Sequence, residues 1–69
     1  MKGLTRGKLA KRFAINPETL RYYENEGVIS TPKRTLNGYR LYDEIHLQQL
    51  AFISMAKQLG FTLNDIKLL

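Results

Sequence analysis

The residue types that most often build cofactor and metal sites are scarce in this sequence. It contains no cysteine and a single histidine, His46, so a disulfide framework is impossible and zinc or haem would find almost no ligands. We therefore expect no cofactor, and we interpret His46 as a surface or packing residue. No apolar run approaches the roughly 18–20 residues of a membrane span, and no signal-peptide pattern follows the start. These absences predict a soluble, intracellular protein without a membrane partner.

Sixty-nine residues are enough for one domain with a small core. A chain near this size buries only about 60% of its unfolded surface, which argues against a large substrate cleft. No pair of carboxylates converges as acid and base: Glu24 and Glu26 point to different faces of one helix, and Asp43 with Glu44 begins another. Glycine-rich phosphate loops are also absent. An enzyme is the least expected class.

Positive charge is concentrated in the first part of the chain. The 11 basic and 6 acidic residues give a net charge of +5, but residues 1–42 hold nine bases against three acids, a net of +6. Residues 43–69 carry −1. Such an asymmetry favours a surface for a polyanion, although a solubilising face would give the same charge.

The first 26 residues have the pattern of two short helices joined by a tight turn. Thr5 is a plausible N-cap of a helix ending near Phe13, and Asn16 with Pro17 begins a second helix that ends at Gly27. The turn between them is only three residues long. This arrangement predicts a helix-turn-helix over about residues 5–26.

A β-hairpin is predicted over about residues 30–42. The pair Asn37-Gly38 lies between β-prone segments and is a strong hairpin signal, because both residues accept a positive φ. A ribbon of two strands is too small to be stable alone, so we expect it to pack on the helices as a wing.

A second helix pair is predicted over about residues 43–69. Asp43 is expected to cap a long third helix ending at Gly60, and Thr62 with Asp65 resembles the capping box of a fourth. The third helix has two apolar stripes, which predicts burial on more than one side. The stripes are Ile45, Phe52, Ala56 and Leu59, and Leu47, Leu50 and Ala51. The fold class is therefore mainly α: a winged helix-turn-helix of about four helices with a two-stranded wing.

Several side chains of the second helix are candidates for nucleic-acid contacts. Leu20 is its core anchor, which leaves Arg21 free to bind guanine or phosphate in a major groove. Thr19 is close enough to the helix start to reach a base edge or a phosphate. Tyr22 and Tyr23 combine a hydroxyl with an apolar ring; we favour a packing role for Tyr22, and for Tyr23 packing and contact are evenly balanced.

The wing adds Lys33, Arg34 and Arg40 beside Tyr39 and Tyr42. Basic and aromatic residues alternating on a thin ribbon suit contact with a phosphate backbone or a minor groove. The alternative is a solvated strand edge protected by charge. Because the hairpin directly follows the predicted helix-turn-helix, we favour the interpretation that it is a DNA-contacting wing.

Four ordered blocks resemble the N-terminal DNA-binding domain of the MerR family of bacterial transcription regulators. They are KLAKRF at 8–13, ETLRYYENEG at 18–27, NGYRLYDE at 37–44 and AKQLGFTLNDIK at 56–67. By matched position, the resemblance implies that Arg21 and Tyr23 lie on the recognition helix, that Arg34, Tyr39 and Arg40 contact the DNA backbone, and that Lys57 and the turn 60–62 form a second wing. The family commonly has glycine where Ala14 stands, and a Cβ resists a left-handed turn.

The resemblance also implies a biological role. Family members bind double-stranded promoter DNA as homodimers in the bacterial cytoplasm, at the nucleoid, and distort it so that RNA polymerase can start. Their effector part and dimerisation helix follow this domain, and the chain ends before them. We therefore expect the isolated chain to be a monomer. Two alternatives remain: a small excisionase-like DNA-bending protein, and a protein-interaction module that kept the fold, against which the intact Arg21, Arg34 and Arg40 argue.

Overall fold

The chain, in a computed structural model that describes residues 3–68, has four helices and one small antiparallel sheet. The elements are α1 (Arg6–Arg12), α2 (Pro17–Asn25), β1 (Lys33–Arg34), β2 (Arg40–Leu41), α3 (Glu44–Gln58) and α4 (Leu63–Lys67). Lys2 and Leu69, expected in the basic segment and in the fourth helix, lie outside the described residues. Within residues 3–68 no helix is long and apolar enough to cross a membrane.

Side-chain caps set the helix starts, as predicted. The side chains of Thr5 and Asn16 accept hydrogen bonds from the first turns of α1 and α2, at 3.3 Å from Lys8 N and 2.8 Å from Glu18 N. Asp43 caps α3, and Thr62 forms a reciprocal capping box with Asp65. Each oxygen satisfies a backbone N–H that has no partner inside its own helix.

The turn between α1 and α2 keeps a left-handed residue despite its side chain. Ala14 has φ 54°. The N–H of Ile15 reaches the Ala10 carbonyl at 3.0 Å and the N–H of Ala14 reaches the Lys11 carbonyl at 3.1 Å. These two bonds form the Schellman motif that ends many helices, usually with glycine at the left-handed position. The turn geometry is therefore retained, and Ala14 is strained.

The wing closes through one left-handed residue rather than two. Both residues of the Asn37-Gly38 pair accept a positive φ, but only Gly38 adopts one, at 86°. Gly38 N bonds Thr35 O at 2.9 Å and Thr35 N bonds Tyr39 O at 2.8 Å. This is the three-residue hairpin loop, in which a type I turn is followed by a left-handed glycine.

The sheet is longer than the hairpin alone. Lys33 pairs with Leu41 and Arg34 with Arg40, and Leu4 adds an antiparallel bridge to Tyr42. The Leu4–Tyr42 backbone bonds measure 2.7 and 2.8 Å. The segment before α1 is thus tied to the base of the wing, a contact that the sequence pattern did not predict.

A single apolar cluster joins all four helices and the wing. Leu9, Leu20 and Tyr42 are its fully buried centre, and Leu50 and Ile53 of α3 pack against it. On α3, however, only one face is buried. The expected burial of both stripes was wrong: Ile45, Phe52 and Leu59 of the first are exposed and only its Ala56 is buried, while Ala51 of the second is exposed beside the buried Leu50.

His46 is a packing residue, buried to 3% exposure. Its Nδ1 accepts the Asp43 backbone N–H at 3.0 Å, and its Nε2–H donates to the Ser30 carbonyl at 3.1 Å. The ring meets Tyr42 edge-on, with centroids 5.1 Å apart. This histidine therefore completes the α3 cap and fixes the start of the wing to α3.

Candidate nucleic-acid interface

One side of α2 is the most accessible polar helix surface near the wing. Leu20 and Tyr23 turn into the core, which leaves Arg21 and Tyr22 outside and Thr19 half-buried. This division follows from the helical repeat, because residues 20 and 23 share a face. The second helix thus presents a threonine, an arginine and a tyrosine in succession.

The two adjacent tyrosines have different positions. Tyr22, for which a half-buried packing role was favoured, is 51% exposed, whereas Tyr23 is 6% exposed and lies in the apolar cluster. Their rings are 6.4 Å apart and tilted by 49°. Packing accounts for the Tyr23 ring, and Tyr22 is the tyrosine that α2 presents to a partner.

Among residues 3–68, Arg21 forms one ion pair, with Glu18. Its Nη1 lies 3.6 Å from Glu18 Oε2, and both side chains are more than half exposed. An exposed pair of this spacing contributes only about 0.3–0.5 kcal/mol. The pair leaves Arg21 available to an anion at little cost.

The wing presents cations and an aromatic ring outward. Lys33, Arg34 and Tyr39 are exposed, and Arg34 Nη1 donates to the Gly38 carbonyl at 2.9 Å across the hairpin loop. The loop is thereby held by the same guanidinium that faces solvent. Lys33, named with Arg34 among the wing candidates, is likewise exposed on β1.

Arg40 departs from the expectation of an exposed wing residue. Its side chain is 33% exposed, and its Nε lies 3.4 Å from Glu24 Oε1. Glu24 is itself only 10% exposed and also meets Arg6 Nη2 at 3.5 Å and the Tyr42 hydroxyl, which donates to its Oε2. The Arg6 Nε–H donates to the Tyr42 oxygen at 3.2 Å.

These four side chains, Arg6, Glu24, Arg40 and Tyr42, form a cluster that joins α1, α2 and the wing. Burial and the hydrogen bond to Glu24 raise the pKa of Tyr42, while Arg6 opposes the shift. The pKa of Arg6 is also raised: burial lowers it, but its contacts with Tyr42 and Glu24 outweigh that effect. No local pattern predicts the cluster, because its four members come from distant parts of the chain.

The expected second wing lies at the end of α3. Lys57 is exposed in the last turn, directly before the turn at Gly60. It borders a groove of about 440 Å³ that is also lined by Phe13, Ile15 and Tyr23. This lysine therefore lies beside the turn of the helix-turn-helix.

The fold and this surface define a winged helix-turn-helix domain of the DNA-binding type. The model of the MerR helix-turn-helix family of regulatory proteins matches residues 4–69. The chain belongs to that family, whose members are DNA-binding transcription regulators rather than enzymes.

Known proteins and structures agree with the assignment. The chain is 48% identical over 60 residues to the mercuric resistance operon regulatory protein of Bacillus cereus, covering 87% of the chain and 46% of that protein. It superposes on the N-terminus of MtaN, the Bacillus subtilis multidrug transporter activator, with a TM-score of 0.86 at 31% identity, over 93% of the chain and 60% of MtaN's. The chain also superposes on HiNmlR, a MerR family regulator lacking the sensor domain and bound to promoter DNA. The TM-score is 0.81 at 34% identity, over 97% of the chain and 50% of HiNmlR's. The chain spans less than half the length of the curated relatives it matches.

Proposed function

We propose that this chain is the sequence-specific DNA-binding domain of a bacterial transcription regulator, with α2 in the major groove and the wing on the adjacent backbone. The observation that carries the proposal is that Arg21 and Tyr22 are exposed on α2 while Leu20 and Tyr23 are buried, with Thr19 half-buried near the start of the helix. Such a helix can offer hydrogen bonds and a cation to base edges, while its opposite face holds the core.

The remaining candidates would act as anchors. Arg34 and Tyr39 of the hairpin, and Lys57 of the second wing, are exposed and can reach phosphates without reading sequence. Arg40 would join them through the part of its guanidinium that Glu24 does not hold. Tyr23 would contribute mainly by supporting α2 from below.

We further propose that the whole regulator acts as a homodimer in the bacterial cytoplasm and distorts the promoter, and that RNA polymerase is its indirect partner. HiNmlR, which shares the fold, was crystallised on promoter DNA. Two copies related by a two-fold axis would place two α2 helices in successive major grooves, as helix-turn-helix dimers do.

The decisive experiment separates base reading from backbone anchoring. A duplex selected by this chain from a random library, and a scrambled version of it, are titrated with the wild type, Arg21→Ala and Arg34→Ala over a salt series. Arg21→Ala should weaken binding to the selected duplex by about 1–3 kcal/mol, and so reduce the difference in affinity between the selected and the scrambled duplex. Arg34→Ala, the matched control on the wing, should weaken both duplexes equally and lower the salt slope by about one unit.

Two results would contradict this assignment. Equal weakening of both duplexes by Arg21→Ala would make Arg21 a phosphate anchor. Failure of the wild type to bind any duplex at low salt would overturn DNA binding altogether, and would favour a protein-interaction module.

A further inference from the structure

Glu24 is an acid buried beside the surface that the proposed function assigns to DNA. Its carboxylate is 10% exposed and accepts contacts from α1 and from β2, through Arg6, Arg40 and Tyr42. A negative charge at such a place repels phosphates, so its presence needs a compensating benefit. The contacts indicate what that benefit is.

The benefit is a fixed arginine. Arg40 meets Glu24 through Nε, at 3.4 Å, and within residues 3–68 its Nη groups donate no hydrogen bond. A guanidinium is planar, so holding Nε fixes the direction of the other two nitrogens. A free arginine side chain has large rotamer entropy, which it loses when it binds a partner.

We propose that Glu24 is a positioning residue for the wing: it holds Arg40 with its Nη groups directed at the DNA backbone. This inference rests on the proposed function and adds to it a residue that touches no DNA. Arg6 also meets the Glu24 carboxylate and offsets its charge, so the positive charge of Arg40 remains available to phosphate.

Removing the acid should change the affinity for DNA in opposite directions, depending on whether Glu24 only repels phosphates or positions Arg40. If Glu24 only repels DNA, Glu24→Gln tightens binding. If it positions Arg40, Glu24→Gln weakens binding about three- to tenfold and lowers the salt slope by up to about one unit, because a charge-assisted contact is lost. The probe is a fluorescent mixed-sequence duplex of 25 base pairs, since a backbone contact needs no specific site.

Glu44→Gln is the matched control. It removes the same charge from an exposed residue at the start of α3 that is not a member of the cluster. Because Glu44→Gln only removes a negative charge, its affinity for the duplex should be unchanged or slightly higher than that of the wild type. Melting curves of all variants establish that each is folded at the temperature of the titration.

The second arm tests whether Glu24 acts through Arg40. In an Arg40→Gln background, Glu24→Gln should no longer weaken binding, whereas a general loss of structure would weaken it equally in both backgrounds. Tighter binding by Glu24→Gln alone, or equal weakening in both backgrounds, overturns the positioning role. A wild type that binds no duplex overturns the proposed function instead, so the two failures are distinguishable.

Discussion

Ala14 occupies a backbone conformation that glycine adopts without strain. Its φ of 54° costs a residue with a Cβ about 1–2 kcal/mol, and its side chain is exposed, so Ala14→Gly loses no packing. Glycine also makes the unfolded chain more flexible, which costs about 0.4–1 kcal/mol. The relief of strain is the larger effect, and we expect Ala14→Gly to raise the free energy of unfolding by about 0.5–1 kcal/mol.

Thermal and urea unfolding, followed by circular dichroism, measure this change. For a domain of this size 1 kcal/mol corresponds to about 4–8 °C, so the midpoint should rise by roughly 2–8 °C. Ala51→Gly is the matched control, at an exposed position inside α3. There the same substitution should lower stability by about 0.5–1 kcal/mol. A midpoint that falls for both variants would refute the reasoning about strain at Ala14.

The remaining predictions concern alkaline stability and oligomeric state. The pKa of Tyr42 is raised above its ordinary 10.0, so its stabilising effect is complete below pH 10 and is lost as the pH rises through the raised pKa. The free energy of unfolding should therefore fall in alkaline solution, and it should fall less steeply in Tyr42→Phe. Tyr39→Phe, the control at an exposed site, should follow the wild type. Equal pH curves for all three proteins would contradict the stabilising role of the Tyr42 hydroxyl. We also expect the 69-residue chain to be monomeric at micromolar concentration: the exposed apolar side chains of α3 form a single row, whereas each partner of a stable interface buries about 800 Å². Light scattering that gave the mass of a dimer would show that this row, or another face, suffices.

Local sequence signals predicted the helices well. Thr5, Asn16, Asp43 and Thr62 each cap the helix they were expected to cap, because a cap involves residues only two or three positions apart. Gly27 and Gly60 follow the ends of α2 and α3 for a similarly local reason. The predicted wing formed where the Asn37-Gly38 signal placed it.

Contacts between distant residues were not predictable in the same way. Nothing near Glu24 in the sequence indicates that Arg6 and Arg40 meet it, and the periodicity of α3 could not say which of its apolar rows faces the core. These contacts depend on how the wing and helices pack together. The choice between Tyr22 and Tyr23, by contrast, was within reach of the sequence, because Tyr23 lies three residues after the core anchor Leu20 and shares its face of α2.

The bridge between Leu4 and Tyr42 gives the chain a closed loop of about 40 residues, with the helix pair and the hairpin inside it. Closing a loop of that length costs on the order of 3 kcal/mol of chain entropy, and the cost is recovered only when the enclosed segments pack. Leu4 and Tyr42 therefore come together only when the enclosed segments pack, and they separate when that packing is lost. As a result, the helix pair and the wing should fold and unfold together as one cooperative unit, and the amide protons of Leu4 and Tyr42 should exchange with solvent at rates that report on the whole unit.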